Sequence, residues 1–171
     1  LFMAIARSVL RASVTLEPDL ALAMARANRI LTADAANGMF VTVLLGILDP
    51  HERQFAYVNA GHNPPMLINT AGGAQSLEST GFCLGMFPSV SYETRTAKFA
   101  PGDILCLYTD GIIENRNKRR EEFGEERLAR RLRESAGLPA REILEKIYED
   151  TFGFSACAEA GDDMTLVVIK R

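Results

Sequence analysis

Three carboxylates in two short stretches are the residues best placed to do chemistry. Asp110 belongs to the first stretch, Gly102 to Gly111. Within it, Ile104 to Tyr108 is an unbroken apolar run, too short for a helix and bounded by turn residues, so it predicts a buried strand. Asp110 stands at the end of that strand, and Gly111 lets the backbone turn sharply or approach a ligand closely. Near the end of the chain the order is reversed. Gly161, Asp162 and Asp163 precede Met164 to Ile169, a second predicted strand rich in β-branched residues. Paired antiparallel in one sheet, the two strands bring their carboxylates to one edge. Clustered carboxylates repel unless they are protonated or bridged by a cation, and oxygen-only donors suit magnesium or manganese. A strand-end aspartate can equally be a turn former or helix cap. The residues alone leave both readings open.

Other candidates are weaker. His62 lies between Gly61 and Asn63-Pro64-Pro65, where a histidine is more often bonded to the backbone than employed as a base. His51 falls in a surface turn and is given no role. Arg116, Lys118, Arg119 and Arg120 could meet an anionic partner, but Glu121 and Glu122 adjoin them, which favours a solvated loop. No Gly-x-Ser-x-Gly elbow, phosphate loop or Cys/His zinc spacing is present, so nucleophilic catalysis by a side chain has no support.

The elements that would position these groups follow from periodicity. Leu1 to about Ala12 reads as a helix with Phe2, Ile5, Val9 and Leu10 near one face. Glu17-Pro18-Asp19 opens a second helix, in which Leu20, Ala23, Met24, Ala27, Ile30 and Leu31 recur at helical spacing. Core packing is the plain explanation of that stripe. Asn37-Gly38 marks a turn. Met39 to Leu48 then predicts a long strand that forms a hairpin with Arg53 to Asn59 across the turn at Asp49-Pro50-His51-Glu52. Residues 60 to 65 predict a rigid loop, Met66 to Ile68 a short strand, residues 74 to 91 irregular structure, and Tyr92 to Phe99 a further strand. Residues 112 to 122 read as a polar excursion. Helices follow over Glu125 to Arg133 and from Pro139 to about Thr151, then a loop over 152 to 160. Helices first, strands next, then helices and a last strand make an α+β pattern on antiparallel sheet rather than alternating βαβ.

Size and composition agree. The 171 residues are most simply a single domain, residues 1 to 171. A hydrophobic content of 47% and a charged content of 24% are those of an ordinary globule. A net charge of −3 gives no basic footprint for nucleic acid, and no apolar run approaches the roughly 20 residues that span a bilayer. Cys83, Cys106 and Cys157 are scattered and odd in number, which argues against a disulfide framework and favours buried thiols in a reducing cytoplasm. Leu1 to Arg7 is already in helical register, so the chain is read as a fragment beginning inside an element.

Taken together, these stretches carry a resemblance. Met39-Phe40-Val41-Thr42 with Gly46 and Asp49, then Tyr57 to Pro65, then Pro101-Gly102-Asp103, Leu107 to Glu114, Phe123-Gly124 with Leu128, and Asp162 to Leu166 resemble successive signatures of one family. It is the SpoIIE/RsbU-type bacterial serine phosphatases, a branch of the metal-dependent protein phosphatases of type 2C. The similarity runs over essentially the whole chain in order. It implies an α-β-β-α sandwich of two antiparallel sheets covered by helices, a binuclear Mn²⁺ or Mg²⁺ site, and hydrolysis of protein phosphoserine or phosphothreonine by a metal-activated water.

Residue by residue, the resemblance implies Asp110 and Asp162 as metal ligands and catalytic groups, with Thr109 and Gly111 shaping the turn. Asp163 stands where distant relatives often have asparagine, which implies that it orients the site rather than ligates. Asn59, Gly61 and His62 match the family's Asn-Ala-Gly-His loop. His62 stands where wider type 2C relatives carry an aspartate associated with an additional metal. Family members carry an Asp-x-Ser-Gly-x-Gly segment just before the first helix, and this chain starts after it, so the resemblance implies impaired activity for this chain alone. The implied substrate is a phosphorylated regulator of the anti-sigma-factor-antagonist kind, with sensory or receiver domains upstream. An open sheet edge leaves room for a homodimer. Two rivals stand beside this reading: the same fold with a degenerate metal site that binds a partner without turnover, and a structural domain whose aspartates only cap turns.

Overall fold

A computed structural model describes residues 2 to 34, 38 to 155 and 162 to 171. Asn37, Cys157 and Gly161, and with them most of the loop expected over 152 to 160, lie outside the described residues. The chain forms two compact units. The first is built from residues 1 to 62 and 78 to 98, the second from residues 63 to 77 and 99 to 171.

The first unit is a helix pair on a three-stranded antiparallel sheet. Helices α1 (Phe2–Leu16) and α2 (Leu20–Asp34) are separated at Pro18, and the Asp19 carboxylate caps α2 by accepting the Leu22 N–H at 3.0 Å. The stripe of α2 is core as expected: Leu20, Ala23, Met24, Ala27 and Leu31 are buried, whereas Ile30 is exposed. On α1, Ala6 and Ser13 are buried and Phe2, Val9 and Leu10 pack against the core cluster as anticipated, whereas Ile5 is exposed. The sheet order is β1 (Val43–Asp49), β2 (Gln54–Ala60), β5 (Arg95–Lys98). The expected hairpin is present, in register from Val43 opposite Ala60 to Asp49 opposite Gln54. Its turn is fixed by the Asp49 carboxylate, which accepts the N–H groups of His51 and Glu52. The first strand is shorter than its apolar run. Met39 to Thr42 lie outside β1 because Val41 exchanges backbone hydrogen bonds with Leu84 instead. Val58 and Ala60 of β2 pack with α2 and Leu84 in one core cluster.

The second unit holds a four-stranded antiparallel sheet in the order β4 (Ala74–Ser76), β3 (Met66–Ile68), β6 (Ile104–Tyr108), β7 (Leu166–Lys170). Strand β4 falls where irregular structure was expected; Ala74-Gln75-Ser76 carries little apolar signal and pairs because the turn after Ile68 folds it back. Helices α3 (Asp110–Ile113), α4 (Gly124–Glu134) and α5 (Ala140–Ser155) complete the unit. Two corrections belong here. The stretch read as a polar excursion begins with one helical turn, α3, and Phe152 to Ser155, read as loop, continue α5. The core gathers Ile104, Cys106 and Tyr108 of β6 with Ile112, Leu128, Leu132, Ile143 and Ile147. The fold is therefore α+β, with two antiparallel sheets that each carry helices, as the sequence pattern predicts.

Candidate active site

Strands β6 and β7 are neighbours and antiparallel, with Tyr108 opposite Leu166. The end of β6 and the start of β7 thus meet at one sheet edge, and the residues singled out in sequence sit there. Thr109 closes the junction. Its N–H donates to Thr165 O at 3.1 Å, its hydroxyl accepts the Thr165 N–H at 2.9 Å and donates to Asp163 O at 3.2 Å. Thr109 is also the N-cap of α3 but makes no side-chain cap. Its hydroxyl is spent on the neighbouring segment instead.

Gly111 has the second essential contact. A Cβ built on it would lie 2.6 Å from Asp163 O and 2.9 Å from Asp162 O. Two backbone segments therefore touch at a spacing no side chain allows. Gly111 is needed for space, since its φ is not positive. Asp110 is the first residue of α3 rather than the last of a strand, and one of its carboxylate oxygens accepts the Gly111 N–H at 2.9 Å. The carboxylate-bearing residues Asp110, Asp162 and Asp163 are all exposed, and none forms an ion pair among the described residues. The donors are oxygens only, the set suited to a hard divalent cation. Among the described residues no group of three or more His, Cys, Asp or Glu is placed to hold a metal ion, so these residues fit part of such a shell, the remainder being open to water.

Asn59, Gly61 and His62 belong to the first unit. Asn59 is fully buried and organises the loop: its side-chain oxygen accepts the His62 N–H at 2.8 Å, and its amide donates to His62 O at 3.1 Å. Ser79 and Thr80 latch onto the same residue. The Thr80 hydroxyl accepts the Asn59 N–H, while the Thr80 N–H and the Ser79 hydroxyl donate to Asn59 O. Gly61 turns the loop at φ 72°. His62 Nδ1 is buried and has no partner among the described residues. The backbone of His62 is thus held by the Asn59 side chain, whereas among the described residues Nδ1 makes no bond to the backbone of the kind expected from the sequence.

Asp103 was quoted in sequence only as part of a motif. It is buried, and its two oxygens accept the N–H groups of Thr70 (3.1 Å) and Ala100 (2.8 Å), so it ties two turns together beside β6. Asn28, on α2, similarly bridges Gly85 N–H and Phe87 O. Neither could be told in sequence from an ordinary helix or turn residue.

The model of the family described as Stage II sporulation protein E (SpoIIE) matches residues 1 to 171. The chain belongs to the SpoIIE family. It is 34% identical over 143 residues to Protein IcfG of Synechocystis, covering 83% of this chain and 22% of IcfG. It is 27% identical over 146 residues to the phosphoserine phosphatase RsbU of Bacillus subtilis, covering 84% of this chain and 43% of RsbU. The chain therefore spans less than half the length of these relatives. The fold is that of the SiaA-PP2C domain of Pseudomonas aeruginosa, with a TM-score of 0.87 at 20% identity over 99% of this chain and 69% of that one. The SpoIIE resemblance read from the motifs is thus confirmed, and so is the fold class it implied. Among the described residues, no helix is long and apolar enough to cross a membrane.

Proposed function

We propose that this chain is part of a divalent-metal-dependent serine/threonine phosphoprotein phosphatase, both units contributing to one domain. The observation that carries the proposal is the junction at which Thr109 and Gly111 lock Asp110 beside the Asp162–Asp163 segment, with exposed carboxylates that have no cationic side-chain partner among the described residues. Membership of the SpoIIE family and similarity to a phosphoserine phosphatase support it.

Asp110 and Asp162 would hold Mn²⁺ or Mg²⁺, two ions being expected in a complete domain, and Asp163 would orient the segment. Bound divalent cations supply Lewis-acid chemistry: they acidify water and offset charge on phosphoryl oxygens. The chain's own task is preorganisation. Thr109 fixes the separation of the two segments by three hydrogen bonds, so ligand geometry is set before binding. Gly111 keeps Asp162 and Asp163 at backbone contact distance. Exposure of the carboxylates leaves the edge open to a phosphorylated side chain carried on another protein, and the proposed substrate is a regulatory protein of the anti-sigma-factor-antagonist kind. A cytoplasmic location, an upstream sensory or receiver domain and a homodimer belong to the same proposal.

A second reading has one observation in its favour. Since no three metal-ligating side chains converge among the described residues, the chain could act as an interaction module of the same fold without turnover. The deciding experiment measures hydrolysis of p-nitrophenyl phosphate and of a phosphoserine peptide with saturating Mn²⁺, by this chain and by versions extended towards the length of the relatives. Metal-dependent hydrolysis in the extended versions supports the phosphatase. Its absence in all of them leaves the interaction module.

A further inference from the structure

In sequence, the cations of residues 116 to 120 look balanced by Glu121 and Glu122. In the fold those acids are engaged at the base of the loop. Arg116 Nη2 pairs with Glu122 Oε1 at 2.7 Å, and the backbones of the two residues form an antiparallel bridge. The Asn117 amide donates to Glu121 Oε2 at 2.8 Å. Asn117 also builds the turn itself: its side-chain oxygen accepts the N–H groups of Arg119 and Glu121, and its backbone bonds to Glu121 O and the Arg120 N–H. Lys118, Arg119 and Arg120 stand exposed at the tip, with no side-chain hydrogen bond or ion pair among the described residues. Arg120 has φ 61°, in the left-handed region that favours glycine or asparagine. A strongly cationic side chain thus occupies a position whose backbone would suit a smaller residue.

The loop is rooted beside the candidate site. Phe123 N–H donates to Asn115 O at 2.8 Å, and Glu114 N–H donates to Asp110 O at 2.8 Å, so the ordered turn follows directly on the helical turn that begins with Asp110. We propose that the Lys118–Arg119–Arg120 tip docks an acidic stretch of a partner protein; resting on the phosphatase reading above, that stretch flanks the phosphoserine of the substrate.

Three features favour this occupant. The loop is already ordered by its own hydrogen bonds, so little conformational freedom is lost on docking. Guanidinium forks match carboxylates in bidentate geometry. Other anionic partners fit less well. The chain as a whole is acidic, with net charge −3, whereas nucleic-acid binding needs a broad basic face. Anionic lipid is recognised by clusters of roughly four to eight cations, more than the tip supplies. Exposed charges of this kind govern encounter and KM rather than turnover.

The test uses two phosphoserine peptides that differ only in flanks of Asp and Glu or of Ser and Gly, and an unphosphorylated copy of the acidic peptide for binding by fluorescence anisotropy. The variants are Lys118→Gln/Arg119→Gln, which leaves the turn residues in place, and the same pair with Arg120→Asn, which suits the left-handed backbone. Wild type should bind the acidic peptide and show a kcat/KM about tenfold higher for the acidic-flanked substrate, since modest exposed pairs multiply. Raising salt to about 0.5 M should abolish the preference. The triple variant should lose both, with kcat and p-nitrophenyl phosphate hydrolysis unchanged. A variant that keeps the preference, or a wild type that binds RNA or phosphatidylserine vesicles but no acidic peptide, overturns the docking surface. The two readings separate cleanly. If not even the extended versions hydrolyse anything, yet the acidic peptide binds wild type and not the variant, the docking surface stands and the phosphatase falls. If p-nitrophenyl phosphate is hydrolysed without any acidic preference or binding, the reverse holds.

Discussion

Replacing Gly111 with alanine probes the packing that the site depends on. The new methyl would sit 2.6 Å from Asp163 O and 2.9 Å from Asp162 O, both backbone atoms that cannot swing aside. One segment must therefore move. Overpacking of this sort costs about 1–3 kcal/mol. Alanine in place of glycine within a helix recovers up to about 1 kcal/mol. The net loss is then about 1 kcal/mol, or a fall of roughly 2–4 °C in Tm for a chain of this length. The displaced residue is Asp162 or its neighbour, so metal binding should suffer more than stability. Disturbing the partners of metal ligands costs about 10–100-fold in affinity. Scanning calorimetry gives the first quantity and Mn²⁺ titration the second. A Gly111→Ala protein with unchanged Mn²⁺ affinity and a Tm raised by the helix propensity alone would refute the proposed contact between α3 and the Asp162–Asp163 segment.

Two further predictions follow from buried groups. Asn59→Ala removes two bonds to the His62 backbone and leaves that N–H and C=O without this partner; urea denaturation should show a loss of about 2 kcal/mol at about 1 kcal/mol per bond, and wild-type stability would mean that the loop is held by Ser79 and Thr80 alone. Burial pushes the Cys106 thiol up to about 12 from 9.0. The folded state binds the proton more tightly than the unfolded one, so the associated stability is complete below about pH 9 and is lost as pH rises toward 12. Denaturant midpoints across that range should fall, and replacement by the non-ionisable Cys106→Ala should flatten the fall relative to its own lower baseline.

Much of the fold was legible because strong local signals agreed with tertiary context. The α2 stripe, the 43–60 hairpin and the β6 run are long or strictly patterned, and burial enforces them. Two of the failures share a cause: backbone pairing outweighed the local pattern. Met39 to Thr42 look like strand, but Val41 bonds to Leu84. Ala74 to Ser76 look irregular, yet pair with β3. At the site, the meeting of Asp110 with the Asp162 segment could be inferred from strand direction. The hydroxyl of Thr109 and the backbone contact at Gly111 could not, because both depend on atomic spacing across 50 residues of chain or so. The loop at 116 to 122 shows the same limit: composition counts charges, whereas hydrogen bonding decides which of them remain available.

The central claim is that Asp110 and Asp162 are ligands of one divalent-metal site. Calorimetric titration of Mn²⁺ into wild type, Asp110→Asn, Asp162→Asn and Asp163→Asn tests it most directly. The account predicts binding by wild type, large losses of affinity at Asp110 and Asp162, a smaller loss at Asp163, and thermal stability without metal that is unchanged or slightly raised as charge repulsion is relieved. Equal affinities in all four proteins would contradict it, and so would a larger loss at Asp163 than at Asp162.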